Sequence, residues 1–304
     1  MARLAARAAC HGATLNTLSL FAGCVLIWGT TWLAITYQLG SVAPEASVSY
    51  RFLLAAALIA GFCRLRGHSL RFTAAQHVAL ALLGVLMYSI GYIFVYHAET
   101  HVVSGLIAVG YSAGPLLAMF GLRIFFGQAM TRRMALGSVL GIAGIALVFW
   151  PEIGRGGHRG NVAVGALLTV LAVLVTSAAN LVAHRNHQRG LHGWATMAWS
   201  MGYGGIASLV AALALGRPFT FDASPGYVIS LLYLTVFGSV LTFASYLTLL
   251  GRIGAARASY IGVMVPIVAL VVSSLFEGFA WQPLTVAGIA VSVAGNVLVL
   301  RRSG

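Results

Sequence analysis

Lysine is absent from this 304-residue chain, and acids are nearly so: Glu45, Glu99, Glu152, Asp222 and Glu277 are the whole set. With 8% charged residues the chain falls far below the roughly 25% of a soluble domain, which excludes a solvated globular surface. No acid stands in the middle of an apolar stretch. That argues against a sodium site, a carboxylate proton relay or a metal centre in the core, so no cofactor or metal is expected. Cys10, Cys24 and Cys63 have neither metal-like spacing nor a pairing pattern, and no structural disulfide is expected. The formal charge of +13 comes without any basic run longer than two residues, so nucleic acid is not an expected partner. No phosphate-binding glycine loop indicates an ATPase.

What fills the chain instead is hydrophobic sequence, 60% of all residues, gathered into ten stretches. They lie near 15–39, 43–63, 75–97, 102–125, 134–151, 162–184, 191–215, 226–250, 254–276 and 283–301. A helix needs about 20 apolar residues to cross a hydrocarbon core about 30 Å thick. The expected fold is an all-α polytopic membrane protein of ten transmembrane helices with the lipid bilayer as its surroundings. The first stretch is too long and too rich in tryptophan for a cleaved signal peptide, and no small-residue cleavage site follows it.

All 18 basic residues are arginines, and they orient the helices. With a cytoplasmic N-terminus and a reversal at each span, 13 face the cytoplasm: Arg3, Arg7, Arg64, Arg66, Arg71, Arg132, Arg133, Arg185, Arg189, Arg252, Arg257, Arg301 and Arg302. Only Arg155, Arg159 and Arg217 fall on the opposite side, while Arg51 and Arg123 lie inside spans. Lysine and arginine bias near span ends sets topology, so both termini are expected to be cytoplasmic. The lysine-free composition hints at a GC-rich bacterial genome, which would make the membrane a bacterial inner membrane.

The widest polar break, PEIGRGGHRGN at 151–161, separates five spans from five. A gapless shift of 151 positions lays Pro115 on Pro266 and Gly137 on Gly288. It also lays Ala143, Gly144, Leu147 and Val148 on Ala294, Gly295, Leu298 and Val299. The expected organisation is a first repeat over 15–150, a connecting loop over 151–161 and a second repeat over 162–301. Because each unit has an odd number of spans, the second enters the membrane from the opposite face. Inverted repeats are a transporter plan with the site between the halves, near the midplane.

Helical spacing puts Trp28, Thr31 and Trp32 on one face of the first span. Tyr88, Tyr92 and Tyr96 recur every fourth residue in the third. Hydroxyls in the middle of a membrane need a partner or water, so this stripe either lines a wet cavity or packs with each hydroxyl on a neighbouring carbonyl. Arg51 lies seven residues past Pro44, roughly 10 Å below the end of its span. Its two readings are a grip on a substrate carboxylate or phosphate, and snorkelling or bonding to carbonyls. Tyr111 beside Ser112, Asn180 with His184, and Tyr246 beside Ser245 add polar groups from other spans. Pro115 and Pro266 remove a backbone donor in mid-helix and favour kinks suited to gating. Gly137, Gly141 and Gly144, with Gly288, Ser292 and Gly295, make small-residue faces for scaffold or dimer contacts, which leaves monomer and homodimer open.

Several of these residues resemble one family. WGTTW at 28–32, Tyr50-Arg51-Phe52, the mid-span prolines and LGSVLGIAG at 136–144 are similar to the EamA-like repeat of the drug/metabolite transporter superfamily. The resemblance covers residues 15–301 and implies a ten-span exporter of a small-molecule metabolite such as an amino acid. The family usually carries an acid where Gln128 stands, and Glu277 sits two residues nearer its proline than the family spacing. Gly110-Tyr111-Ser112-Ala113-Gly114 matches the serine-nucleophile motif, but that motif needs a strand-to-helix turn and this stretch sits in an apolar helix. The expected function is therefore a secondary transporter working by alternating access, not an enzyme. A channel or facilitator is the alternative, and an intramembrane serine hydrolase the more distant one.

Overall fold

The computed structural model describes residues 2–127, 129–154, 161–258 and 260–300. Among them all regular structure is helical: α1 Ala2–Thr36, α2 Pro44–Leu65, α3 Ala74–Glu99, α4 Ser104–Phe126 and α5 Arg132–Gly154 form the first half. The second half comprises α6 Val162–Gln188, α7 Trp194–Ala214, α8 Pro225–Gly254, α9 Tyr260–Phe276 and α10 Pro283–Leu300. Eight described helices are long and apolar enough to cross a membrane, and α9 and the apolar part of α10, Pro283–Val299, are shorter apolar helices. Gln128, Arg155, Arg159, Arg301 and Arg302 lie outside the described residues, as do the side chains of Arg3, Arg7 and Cys10.

Local chemistry sets the helix ends. Pro44 opens α2 with Glu45 in its first turn, where a carboxylate meets the free N–H groups. Thr73 and Gln76 close a capping box on α3, and the Asn161 side chain accepts from the N–H groups of Ala163 and Val164 to start α6. Gly254 has φ +77, so α8 stops there before the chain turns into α9. Ser41 donates to Asp222 at 2.6 Å, which ties two loops between helices together, and Tyr50 on α2 donates to the carbonyl of Thr220 in the second of them at 2.9 Å. Hydrogen bonds from Ser41 and then Ser224 hold the Asp222 carboxyl below the usual carboxylate range.

The packing is inverted relative to a water-soluble bundle. Leu167, Val170 and Leu174 on α6 and Ile206, Val210 and Leu213 on α7 are exposed at helical spacing, as lipid contact requires. Ser47, Ser49, Ser89, Ser200 and Ser208 are buried between helices. Backbone approaches backbone between α5 and α10. A methyl group at Gly144 would stand 2.5 Å from the carbonyl oxygen of Gly288, and one at Gly295 would stand 2.5 Å from that of Gly137. The glycine faces that left scaffold and dimer contacts open are thus spent inside one chain, where small residues let backbones touch.

The two halves also repeat in backbone detail. α1 packs on α9 as α6 packs on α4. A wide π-helical turn at Leu86–Ile90 in α3 falls, after the 151-position shift, inside the π-helical segment Leu234–Leu241 of α8. The matched prolines behave differently. Pro115 follows a break at Ser112–Ala113 that splits α4 into Ser104–Tyr111 and Gly114–Phe126, while Pro266 sits inside an uninterrupted α9.

Candidate functional site

A cavity of about 390 Å³ lies between the halves. The α1 face supplies Trp28, Thr31, Trp32 and Ile35, one side of two helical turns. From α2 comes Arg51, from α3 Met87, Tyr92 and Val95, and from α4 Ala108, Tyr111 and Pro115. The second half contributes Thr176 and Asn180 on α6, Phe243 and Tyr246 on α8, and Gly262 and Pro266 on α9. Four pairs of lining positions are related by the repeat shift: Tyr92 with Phe243, Val95 with Tyr246, Tyr111 with Gly262, and Pro115 with Pro266. The scaffold is symmetric but its chemistry is not, because the counterpart of Arg51 is Gly202.

Arg51 is 2% exposed, and its surroundings explain how a charge survives there. Its guanidinium stands over the rings of Tyr92 at 4.7 Å and Phe52 at 5.1 Å, and Nε donates to Ser239 Oγ at 3.2 Å. Nη1 is buried without an acceptor. Ser239 belongs to the π-helical segment of α8 and donates in turn to the carbonyl of Leu234, five residues back. Thr242 donates likewise to Phe237, and Trp28 Nε1 reaches the carbonyl of Gly238 at 3.1 Å. The wide turn is therefore wired to both the cation and the first tryptophan of the site, in keeping with the functional bias of π-bulges. Trp28 packs against Phe243 and Tyr246, and Trp32 meets Tyr111 edge-on at 5.2 Å.

The cavity extends from Arg51, Ile35 and Val95 to Ala258 before α9, at the end of the bundle where α1 begins. Beyond Arg51 it is sealed: Tyr96 and Gln38 are both fully buried, and the tyrosine hydroxyl donates to Gln38 Oε1 at 2.7 Å. On the far side of that seal an open depression is lined by Tyr37, Glu99 and Glu277. Glu277 accepts from the N–H and hydroxyl of Ser104 and from the Ser273 hydroxyl. It is thus a cap on the N-terminus of α4, which accounts for its place in the chain.

Eight of the ten expected site residues share this cavity: Trp28, Thr31, Trp32, Arg51, Tyr92, Tyr111, Asn180 and Tyr246. Tyr88 and His184 do not. Tyr88 is 6% exposed and packs on Phe52 and Phe243, within the wide turn at 86–90 that interrupts the α-helical period of the stripe. His184 lies in the last turns of a helix that runs on to Gln188, pairing with that residue at 3.1 Å and with the Phe126 ring. Sequence reasoning passed over Phe243, which the repeat shift of Tyr92 points to, and Ser239 and Gln38, which carry no sequence signal. Ser112 donates to the carbonyl of Val109 and meets Ser292, and no base accompanies it among its hydrogen bonds. No group of three histidine, cysteine or acidic side chains able to hold a metal occurs among the described residues.

The pattern of the EamA-like transporter family matches residues 15–150 and again 163–301. The uncharacterised inner membrane transporter YedA of Escherichia coli K12 is 27% identical over 276 residues, 90% of this chain and 87% of that one. The probable terminal-alkyne amino-acid exporter of Streptantibioticus cattleyicolor is 26% identical over 235 residues, 74% of this chain and 73% of its own. A crystal structure of a protein sharing 17% identity superposes with a TM-score of 0.67, covering 94% of this chain and 96% of that one, a likeness of fold. With the family pattern matched twice, over 15–150 and 163–301, and the helices of a membrane protein in place, the chain belongs to the EamA-like transporter family and is a membrane transporter.

Proposed function

We propose that this transporter exports a small amphipathic metabolite, an amino acid or a related acid, by alternating access, with the central cavity as its substrate site. One observation carries the reading: a buried guanidinium with an unsatisfied Nη1 stands at the deep end of an aromatic cavity between the repeats. A buried charged donor without an acceptor is costly, and an arriving carboxylate supplies the acceptor. Trp28, Trp32, Tyr92, Tyr111 and Tyr246 then cover the apolar part of the substrate, while Pro115 and its break give α4 a hinge. The amino-acid suggestion draws support from the name of the Streptantibioticus relative. The two repeats, 15–150 and 162–301, rock about the site, with both termini cytoplasmic as the arginine distribution favours.

The buried Gln38–Tyr96 seal speaks for a carrier over an open channel. Counterflow in proteoliposomes tests this: a carrier saturates and exchanges, whereas a channel gives linear flux without exchange. Arg51→Gln should weaken apparent affinity roughly ten- to hundredfold, since a charge-assisted bond contributes about 1.5–3 kcal/mol. Undiminished transport in that variant at normal expression would remove Arg51 from the site.

A further inference from the structure

The charge pattern of the cavity narrows its substrate further than size and polarity do. Arg51 is the one charged side chain among the described lining residues, and no acid is among them. The carboxylates nearest in the chain's order are elsewhere: Glu99 and Glu277 line the depression beyond the Gln38–Tyr96 seal, and Glu45 is held by His97 at 2.8 Å. The neutral oxygens of Thr31, Tyr111 and Gly238 around the cavity each have a hydrogen-bond partner and carry no charge that would offset an ammonium. Thr31 donates to the carbonyl of Trp28, the Tyr111 hydroxyl is paired with Thr176, and the Gly238 carbonyl already accepts from Trp28. The Tyr92 ring face is covered by the guanidinium itself. Asn180 lies one turn past Thr176, about 6 Å farther toward the Ala258 end.

We infer that the site selects amine-free carboxylic acids with an apolar or aromatic body, such as 2-oxo, 2-hydroxy or N-acylated acids, over the matching zwitterionic amino acids, and rejects cationic amines. The inference rests on the reading of this cavity as the substrate site. An α-ammonium would sit within a few ångströms of the guanidinium, in low dielectric, with no acid among the described lining residues to balance it. The carboxylate meets Arg51, the body lies between the rings of Trp28, Trp32 and Tyr111, and Asn180 meets a neutral polar group at the far end. One and the same body can carry all three charge patterns, so the distinction is chemical and not steric.

The test uses three compounds of one shape, 3-phenylpropionate, phenylalanine and phenethylamine, titrated against the purified full chain in detergent. Trp28 and Trp32 line the site, so intrinsic tryptophan fluorescence reports occupancy, with thermal melting as the second readout. The expected order is 3-phenylpropionate at least about tenfold tighter than phenylalanine, with phenethylamine weakest, and the same order of inhibition in counterflow. Arg51→Gln should abolish the advantage of 3-phenylpropionate, and Arg51→Lys, which keeps the charge, should retain the order at lower affinity. Phenylalanine binding as tightly as 3-phenylpropionate, with both lost in Arg51→Gln, would overturn the charge selection and leave the cavity reading standing. If no compound changes either readout while the protein still catalyses counterflow of another solute that Arg51→Gln leaves untouched, both readings fall together.

Discussion

Gly144→Ala puts the backbone contact between α5 and α10 to a quantitative test. The added methyl would stand 2.5 Å from the carbonyl oxygen of Gly288 and 2.8 Å from Cα of Ser292, where ordinary contact begins at 3.4 Å. Both obstacles are backbone, so no rotamer change relieves them and the helices must part by about 1 Å. Overpacking of this kind costs about 1–3 kcal/mol, and a backbone obstacle belongs at the upper end. The control is Gly23→Ala on α1, where nothing lies within 4 Å of the new methyl. There alanine should be neutral or better by up to about 1 kcal/mol, the helix-propensity gain over glycine. Thermal melting in detergent, followed by fluorescence and by monodispersity on size exclusion, gives the comparison. Because the contact lies within one chain, the loss should be the same at protein concentrations tenfold apart. A Gly144→Ala protein that melts with the parent, or whose loss grows on dilution as a dimer contact would, refutes this account.

In a background without Cys10, Cys24 and Cys63, Tyr92→Cys should react with a water-soluble thiol reagent while Tyr88→Cys stays protected; equal labelling of the two would undo the assignment of the cavity face. A reporter that fluoresces only in the cytoplasm should light up when fused after Gly304, and a periplasm-dependent phosphatase should be active after Gly157. Phosphatase activity at the C-terminus instead would show that the span count or the orientation is wrong.

Much of this architecture is legible in the sequence because the bilayer leaves few choices. Apolar length marks the helices, and even α9 and α10, short in the structure, stand out against their arginine-bearing ends. The spacing of Trp28, Thr31 and Trp32 yields the cavity face of α1 because an undistorted helix keeps its period. Arg51 stands out because charge at that depth is rare. What the sequence hides are departures from ideal helix geometry. Nothing in Leu86–Ile90 announces a wide turn, and Tyr88, which does not line the cavity with Tyr92, lies within it. The two prolines look alike in sequence, yet only Pro115 accompanies a broken helix, where Ser112 and Ala113 bond three residues back instead of four. The role of Glu277 depends on Ser104, 173 positions away, and no local pattern reveals it.

The unequal pairing of Arg51 with Gly202 has a kinetic meaning. In a carrier whose halves exchange roles, a symmetric site would present itself alike to both compartments. Here the one charged residue of the described lining stands about 10 Å below the Pro44 end of α2, and solute arriving from the Ala258 end must traverse the aromatic length of the cavity before meeting it. Under the proposed cycle, once the Gln38–Tyr96 seal parts, the anion is already near the exit. On that cycle loading would pass along the rings and release would follow a shorter path. The equilibrium across the membrane is unaffected, but the two half-cycles acquire different Michaelis constants, so the protein reads as a one-way device whenever the outer compartment is kept dilute.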